Sequence, residues 1–213
     1  MGVLMSETSI QRLEAWLKDY AGVVAEHEAE LTDLDREIGD GDHGSNMNRG
    51  MKAVAALDVS GFTSASAYLK KVGMTLVSTV GGAAGPLYGT LFLRMAGGIG
   101  DEETLDTAHL AAALRAGVQG VTQRGKSAVG DKTMVDALTP AADSLEKQAA
   151  DGVDLATALP VAAAAADAGR ESTSALVARR GRASYLGERS VGHIDPGAAS
   201  SALLIESAAR TLA

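Results

Sequence analysis

The sequence predicts an all-α protein of eight or nine helices, and three observations carry that prediction. Hydrophobic residues make up 46% of the 213-residue chain but aromatic residues only 3%, so Ala, Leu and Val must fill the interior. Such a composition suits closely packed helices better than a β-sandwich, which draws on β-branched and aromatic side chains. Apolar residues recur at helical spacing in one segment after another, the stripe of a helix with one buried face. No stretch alternates with the period of a strand, and no period repeats at solenoid length.

The first amphipathic segment begins near Ser9 and carries Ile10, Leu13, Trp16, Leu17, Tyr20 and Val24. Trp16, the lone tryptophan, falls in that stripe and reads as core. A second helix, with Leu31, Leu34 and Ile38 in register, should stop at Gly39. Residues 45–57 form a third, with Met47, Met51 and Val54 on one side. Thr63 or Ser64 supplies an N-cap for a fourth, which carries Leu69, Val72, Leu76, Val77 and Val80. Gly81-Gly82-Ala83-Ala84-Gly85-Pro86 then breaks the chain before a fifth at 87–96. Pro86 stands where proline is tolerated, in a first turn. Further helices are expected over 105–124, 133–149, 155–178 and 197–212.

At this length one domain, residues 1–213, with a core of its own is expected. A formal charge of −8 argues against nucleic acid, whose phosphates need basic partners. There is no cysteine, so neither a disulfide framework nor a thiolate site exists, which fits a cytoplasmic protein. No charged-then-apolar leader opens the chain, and no apolar run is long enough to span a membrane.

The stretch Ile38-Gly39-Asp40-Gly41-Asp42-His43-Gly44-Ser45-Asn46 carries the chemistry. In an extended segment Asp40 and Asp42, two residues apart, point to the same side. At about 100° per residue, Asp35 falls on the border of the second helix's apolar stripe while Asp33 points away, so Asp35 can join them. Two carboxylates about 4 Å apart repel by roughly 4 kcal/mol at an effective dielectric of about 20, a cost that a bound cation removes. Carboxylate oxygens suit Mg²⁺ or Ca²⁺. An EF-hand fits poorly: counted from Asp40, glycine falls at position 5 rather than 6, and position 12 is Met51 rather than Glu. The plainer alternative is a solvated acidic turn.

The other breaks are glycine-dense as well. Glycine-rich loops that lead into helix N-termini present free N–H groups to phosphate, although 81–85 taken alone reads as a tight structural turn. Residues 120–127, Gly-Val-Thr-Gln-Arg-Gly-Lys-Ser, match the Walker A pattern letter for letter, but a P-loop needs a strand before it and a helix after it. Here an amphipathic helix precedes, so the match is rejected, with Lys126 left near phosphate only by some other geometry. His27 and His109 lie in helical runs and read as surface or packing residues. His43, beside two acids, reads as functional. Arg182 could bind phosphate or pair with an acid such as Glu188.

Asp35-x4-Asp40-Gly-Asp42-His43-Gly44-x-Asn46-Met47, GGAAGPLYGT from Gly81, GDKTMVDAL from Gly130 and GRASYLGERSVGHIDPGA from Gly181 together resemble the nucleotide-binding L subunit of dihydroxyacetone kinase. The motifs come in the same order and span nearly the whole chain. The resemblance implies an eight-helix antiparallel barrel with a nucleotide, ADP or ATP, at one end. It implies that Asp35, Asp40 and Asp42 hold two Mg²⁺ ions. His43, Gly44, Ser45, Asn46, Ala83, Ala84, Gly125, Met134, Arg182, Asp195, Pro196 and Gly197 would line the nucleotide, with Arg182 also stabilising charge on the moving phosphoryl group. A separate K-type subunit would hold dihydroxyacetone or another small ketose, and a stand-alone L-type chain resembles the branch in which an M-type phosphocarrier subunit of the phosphotransferase system recharges bound ADP. A homodimer is expected. One departure is Ala84, where the family often has Ser, which removes one possible hydrogen bond to phosphate. The alternative function, from the same site, is a nucleotide-binding regulator of a transcription factor or kinase.

Overall fold

The computed structural model describes residues 8–100 and 104–213. The first residues of the chain, where no leader is expected, lie outside that range. Among the described residues there are nine α-helices, three short 3-10 segments and no strand. No helix among them is long and apolar enough to cross a membrane.

Local chemistry accounts for the elements. Helix α1 (Ser9–Glu26) opens with a capping box between Thr8 and Gln11 and buries Leu13, Trp16, Leu17, Tyr20 and Val24. Helix α2 (Glu28–Ile38) ends at Gly39. Helix α3 (His43–Ala55) begins two residues earlier than the apolar spacing suggests, straight after Asp42. Ser64, of the two candidate caps, accepts the Ala67 N–H at the start of α4 (Ala65–Thr79). Helix α5 (Ala84–Gly98) takes Pro86 into its first turn, so it starts before the expected Leu87. Asp106, Thr133, Asp154 and Asp195 cap α6 (Thr107–Gly125), α7 (Met134–Ala150), α8 (Leu155–Ser172) and α9 (Pro196–Thr211).

The expected end of the eighth helix at 178 is wrong; α8 stops at Ser172. Ser172 Oγ and Thr173 Oγ1 bond back to the carbonyls of Gly169 and Arg170, competing with helix continuation. The Thr173 carbonyl is drawn out to Lys132 Nζ at 2.6 Å, and Thr173 Oγ1 accepts the Asp195 N–H at 3.0 Å. Contacts from elsewhere in the chain terminate this helix.

Packing runs α1 on α3, α3 on α4, and so on in chain order through α8 on α9, with α9 back on α1. Eight helices therefore close a ring, and α2 stands apart from it against α3 and α9. Neighbours run antiparallel. Tyr20 Oη reaches the Ser200 carbonyl and Trp16 Nε1 the Leu204 carbonyl, both at 2.9 Å, so α1 ascends as α9 descends. The rings of Trp16 and Phe92 meet at 6.1 Å between centroids, joining α1 to α5 across the interior. Helices α7 and α8 touch so closely that a Cβ on Gly169 would lie 2.2 Å from the Asp136 carbonyl oxygen. Pro140 has no N–H to offer that carbonyl, which instead faces the glycine. Alternation around the ring brings the N-termini of α3, α5, α7 and α9 to one end.

Candidate functional site

A cavity of about 440 Å³ opens at that end, within the range of small-molecule sites. Its wall includes Asp35, Asp40 and Asp42 from the end of α2 and the following loop, and His43 from the start of α3. Ala83 and Ala84 enter α5, Gly125 ends α6, Met134 begins α7, and Asp195, Pro196 and Gly197 enter α9. Arg182 comes from the long loop before α9. Four helix N-termini thus turn their positive dipole ends toward one space.

The acids converge. Asp35, Asp40 and Asp42 each offer one oxygen within 4.8 Å of the others. Asp35 sits in the last turn of α2, and its Oδ2 accepts the backbone N–H groups of Asp42 at 2.8 Å and His43 at 3.1 Å. The loop is therefore wrapped around that carboxylate. Gly39 is required there, because a Cβ would lie 2.1 Å from Asp35 Oδ1, and Gly41 turns the chain at φ +71°. Asp33 points away and pairs with Arg36 at the surface. Arg182 Nη2 lies 2.9 Å from Asp40 Oδ2, so of the two sequence alternatives for Arg182 the acid partner is present, but it is Asp40 and not Glu188.

His43 is buried, with Nε2 2.8 Å from Ser200 Oγ. Burial lowers its pKa, against the pull of Asp35 and Asp42. Asp195 caps α9 through the Ala198 N–H at 2.7 Å. Its carboxyl is pushed up to about 7, by burial first and by Asp136 and Asp35, against the Ala198 N–H and Lys132.

Three expected ligand-lining residues do not reach the wall. Gly44 faces α2, where a Cβ would lie 2.1 Å from the Glu28 carbonyl oxygen. Ser45 Oγ turns back to the Asp42 carbonyl at 3.0 Å, and Asn46 Oδ1 accepts from Arg49 Nη2 at 2.6 Å. Because α3 begins at His43, each following residue rotates by about 100°, and only the first side chain faces the cavity. Asn46 instead lies beside the turn at Gly81 and Gly82, so close that a Cβ on Gly81 would lie 2.6 Å from its Oδ1.

The Walker-like segment is a helix end. Helix α6 runs through Gly125, and Lys126 follows it in the left-handed region at φ +48°, exposed. Lys132 does line the cavity, with Arg124, Arg180 and Arg182, and its place there has no signal in the sequence spacing. It is 1% exposed at φ +62°, and its Nζ donates to the carbonyls of Thr173 and His193. Burial lowers its pKa, opposed by Asp195 and Asp136. The motif GDKTMVDAL contained it, but a lysine that far inside is rarely expected. Arg180, on the same wall, donates to Asp131 Oδ2 at 3.0 Å and ties the long loop to the α6–α7 turn.

The model of the DAK2 domain matches residues 37–210. This chain belongs to the DAK2 family. Among its relatives, the protein of Listeria innocua named PEP-dependent dihydroxyacetone kinase 1, ADP-binding subunit DhaL, is 44% identical over 92% of this chain and 93% of its own. The PEP-dependent counterpart of Escherichia coli is 45% identical over 87% of this chain and 89% of its own. The PTS-dependent one of Lactococcus lactis is 44% identical over 96% of each. The crystal structure of the dihydroxyacetone kinase of C. freundii in its native form superposes with a TM-score of 0.74 at 24% identity, covering 99% of this chain and 36% of the other. Its complex with AMP-PNP and Mg²⁺ gives 0.71. This chain therefore shares the DAK2 fold with, and spans about a third of, that longer protein.

Proposed function

We propose that this chain is the ADP-binding subunit of a PEP-dependent dihydroxyacetone kinase, a phosphotransferase working on a small ketose held by a K-type subunit. The observation that carries the reading is the cavity itself: three converging carboxylates on one side, and four helix N-termini and Arg182 around the rest. Near-full-length identity to subunits named for ADP binding supports it. The donor set fits Mg²⁺, which takes hard oxygen ligands and fills its remaining positions with phosphate and water. Asp35, Asp40 and Asp42 would hold two such ions, and the ions would neutralise phosphate charge when bound.

The chain's own groups do the remaining work. Free N–H groups at the starts of α5, α7 and α9 donate to the phosphate oxygens, and this holds for α5 although residue 84 is Ala and brings no hydroxyl. Pro86, Leu87 and Met134 offer apolar wall to the rest of the nucleotide. Arg182 Nη2 leaves Asp40 to meet the negative charge of the transferring group. Phosphoryl transfer is mostly positioning and charge stabilisation, so no protein nucleophile is needed. An M-type phosphocarrier subunit would recharge ADP in place. The closed ring of helices supports a single domain over the described residues.

Calorimetric titration of Mg²⁺ and ADP against the wild type and Asp40→Ala tests the reading. The substitution should abolish Mg²⁺-dependent ADP binding and leave helix content unchanged, since Asp40 is in a loop and opens no core cavity. Equal affinity in the two proteins would remove the metal assignment.

A further inference from the structure

We propose that Ser200, backed by Tyr88, is a positioning residue that holds the His43 imidazole with Nε2–H turned into the ring of helices and leaves Nδ1 for the cavity. The proposal rests on the reading of the cavity as the nucleotide site, and it gives His43 a fixed orientation within it.

One buried hydroxyl, with a single proton, meets four polar neighbours. Ser200 is fully buried on α9. Its Oγ lies 3.0 Å from the Pro196 carbonyl oxygen and 3.2 Å from that of Gly197, and a carbonyl can only accept. The single hydroxyl proton is therefore committed to the first turn of α9. Only lone pairs remain for the two other partners, His43 Nε2 at 2.8 Å and Tyr88 Oη at 2.7 Å. Both must donate. Nε2 consequently carries a hydrogen whether the ring is neutral or charged. Tyr88 Oη is in turn satisfied by Ser201 Oγ at 3.0 Å, and Tyr20 Oη donates to the Ser200 carbonyl at 2.9 Å.

This buried knot joins α1, α3, α5 and α9. Three of those helices, α3, α5 and α9, begin at the cavity wall. Tyr20, Tyr88, Ser200 and Ser201 are each at most 1% exposed, so water does not compete for these bonds. His43 Nδ1 has no hydrogen-bond partner among the described residues, while His43 itself lines the cavity. It is the ring atom left to meet a hydroxyl or amino hydrogen of a bound nucleotide.

The test uses the full chain labelled with ¹⁵N-histidine and read by long-range ¹H–¹⁵N correlation without ligand. His43 is assigned by the signals missing from His43→Gln. The wild type should show one ring form with hydrogen on Nε2. Ser200→Ala should mix the ring forms and weaken Mg²⁺–ADP binding by about three- to tenfold, the size of one lost hydrogen bond. Hydrogen on Nδ1 alone in the wild type, or an unchanged ring pattern in Ser200→Ala, overturns the proposal. Should Ser200→Ala not fold, Tyr88→Phe serves instead: it leaves the carbonyl acceptors of Ser200 in place, so Nε2–H should persist but exchange faster with water, and unchanged exchange counts against Tyr88 as support. Because the ring pattern is read without nucleotide, the two readings fail separately. If His43→Gln leaves Mg²⁺–ADP affinity unchanged while the pattern behaves as expected, the nucleotide reading of that wall fails and the knot stands.

Discussion

Asp40 and Arg182 share a contact that costs little to break. The pair is solvent-exposed, with the Arg182 side chain 69% accessible, and such bridges contribute about 0–1 kcal/mol. Arg182 can therefore exchange a carboxylate for a phosphoryl oxygen without a folding penalty. Arg182→Ala should leave the melting temperature within about 2 °C of wild type. In an assay reconstituted with a K-type subunit and ketose, turnover should fall by about a hundredfold, as for loss of one donor to developing charge. A large melting shift with intact turnover would make Arg182 a structural tie instead. Asp195 yields a pH prediction. Its folded pKa of about 7 lies above the ordinary 3.8, so between those values the folded state binds more protons than the unfolded one. Stability from this group is present below about pH 4 and is lost as pH rises through about 7. Asn caps helices as well as Asp does, so Asp195→Asn should keep the start of α9 while removing the titration. Its melting temperature relative to wild type should rise steadily from pH 5 to 8; a constant difference would show that Asp195 does not titrate in that window.

The helices are held at different distances, and glycine reports which approaches are closest. Gly22, exposed on α1, has nothing within 4 Å of where a Cβ would be, so Gly22→Ala should gain about 0.5–1 kcal/mol from helix propensity alone. Gly169 in α8 would drive its Cβ into the Asp136 carbonyl oxygen at 2.2 Å and the Ala137 Cα at 3.0 Å. Backbone cannot swing aside as a side chain can. Gly169→Ala should cost about 1–3 kcal/mol by urea denaturation, despite the same propensity gain. Nothing in the sequence separates these two glycines, and that marks where sequence reading ran out. Spacing of apolar residues was enough to find each helix, because burying one stripe is a local demand. The end of α8 was not legible, since Lys132 and Asp195 terminate it from 41 and 22 positions away. At the site, Asp40-Gly-Asp42 declared itself through repulsion between neighbours. Lys132, Tyr88 and Ser200 did not, because their roles exist only once distant helices meet.

Ring closure makes the whole molecule respond to what fills its end. The cavity takes residues from α2, α3, α5, α6, α7, α9 and the loop before α9, and α9 is also the helix that closes on α1. A ligand seated there ties together segments from residue 35 to residue 197, far beyond the reach of any single helix contact. The three acids add to this, since a divalent cation bound between them would offset their mutual repulsion. A ligand that binds only the folded state stabilises it by about 2.7 kcal/mol at a hundredfold excess over Kd. For a domain of this size each kcal/mol is worth roughly 2–4 °C, so saturating Mg²⁺–ADP should raise the melting temperature by about 5–11 °C. ADP with EDTA should lose most of that gain, and Mg²⁺ alone should recover only a part, because neither ligand alone spans both the acids and the helix N-termini. Limited proteolysis should show the 39–46 loop protected over the same concentration range. If saturating Mg²⁺–ADP moved neither the melting temperature nor the cleavage of that loop, the acids and the helix N-termini would not be sharing one ligand.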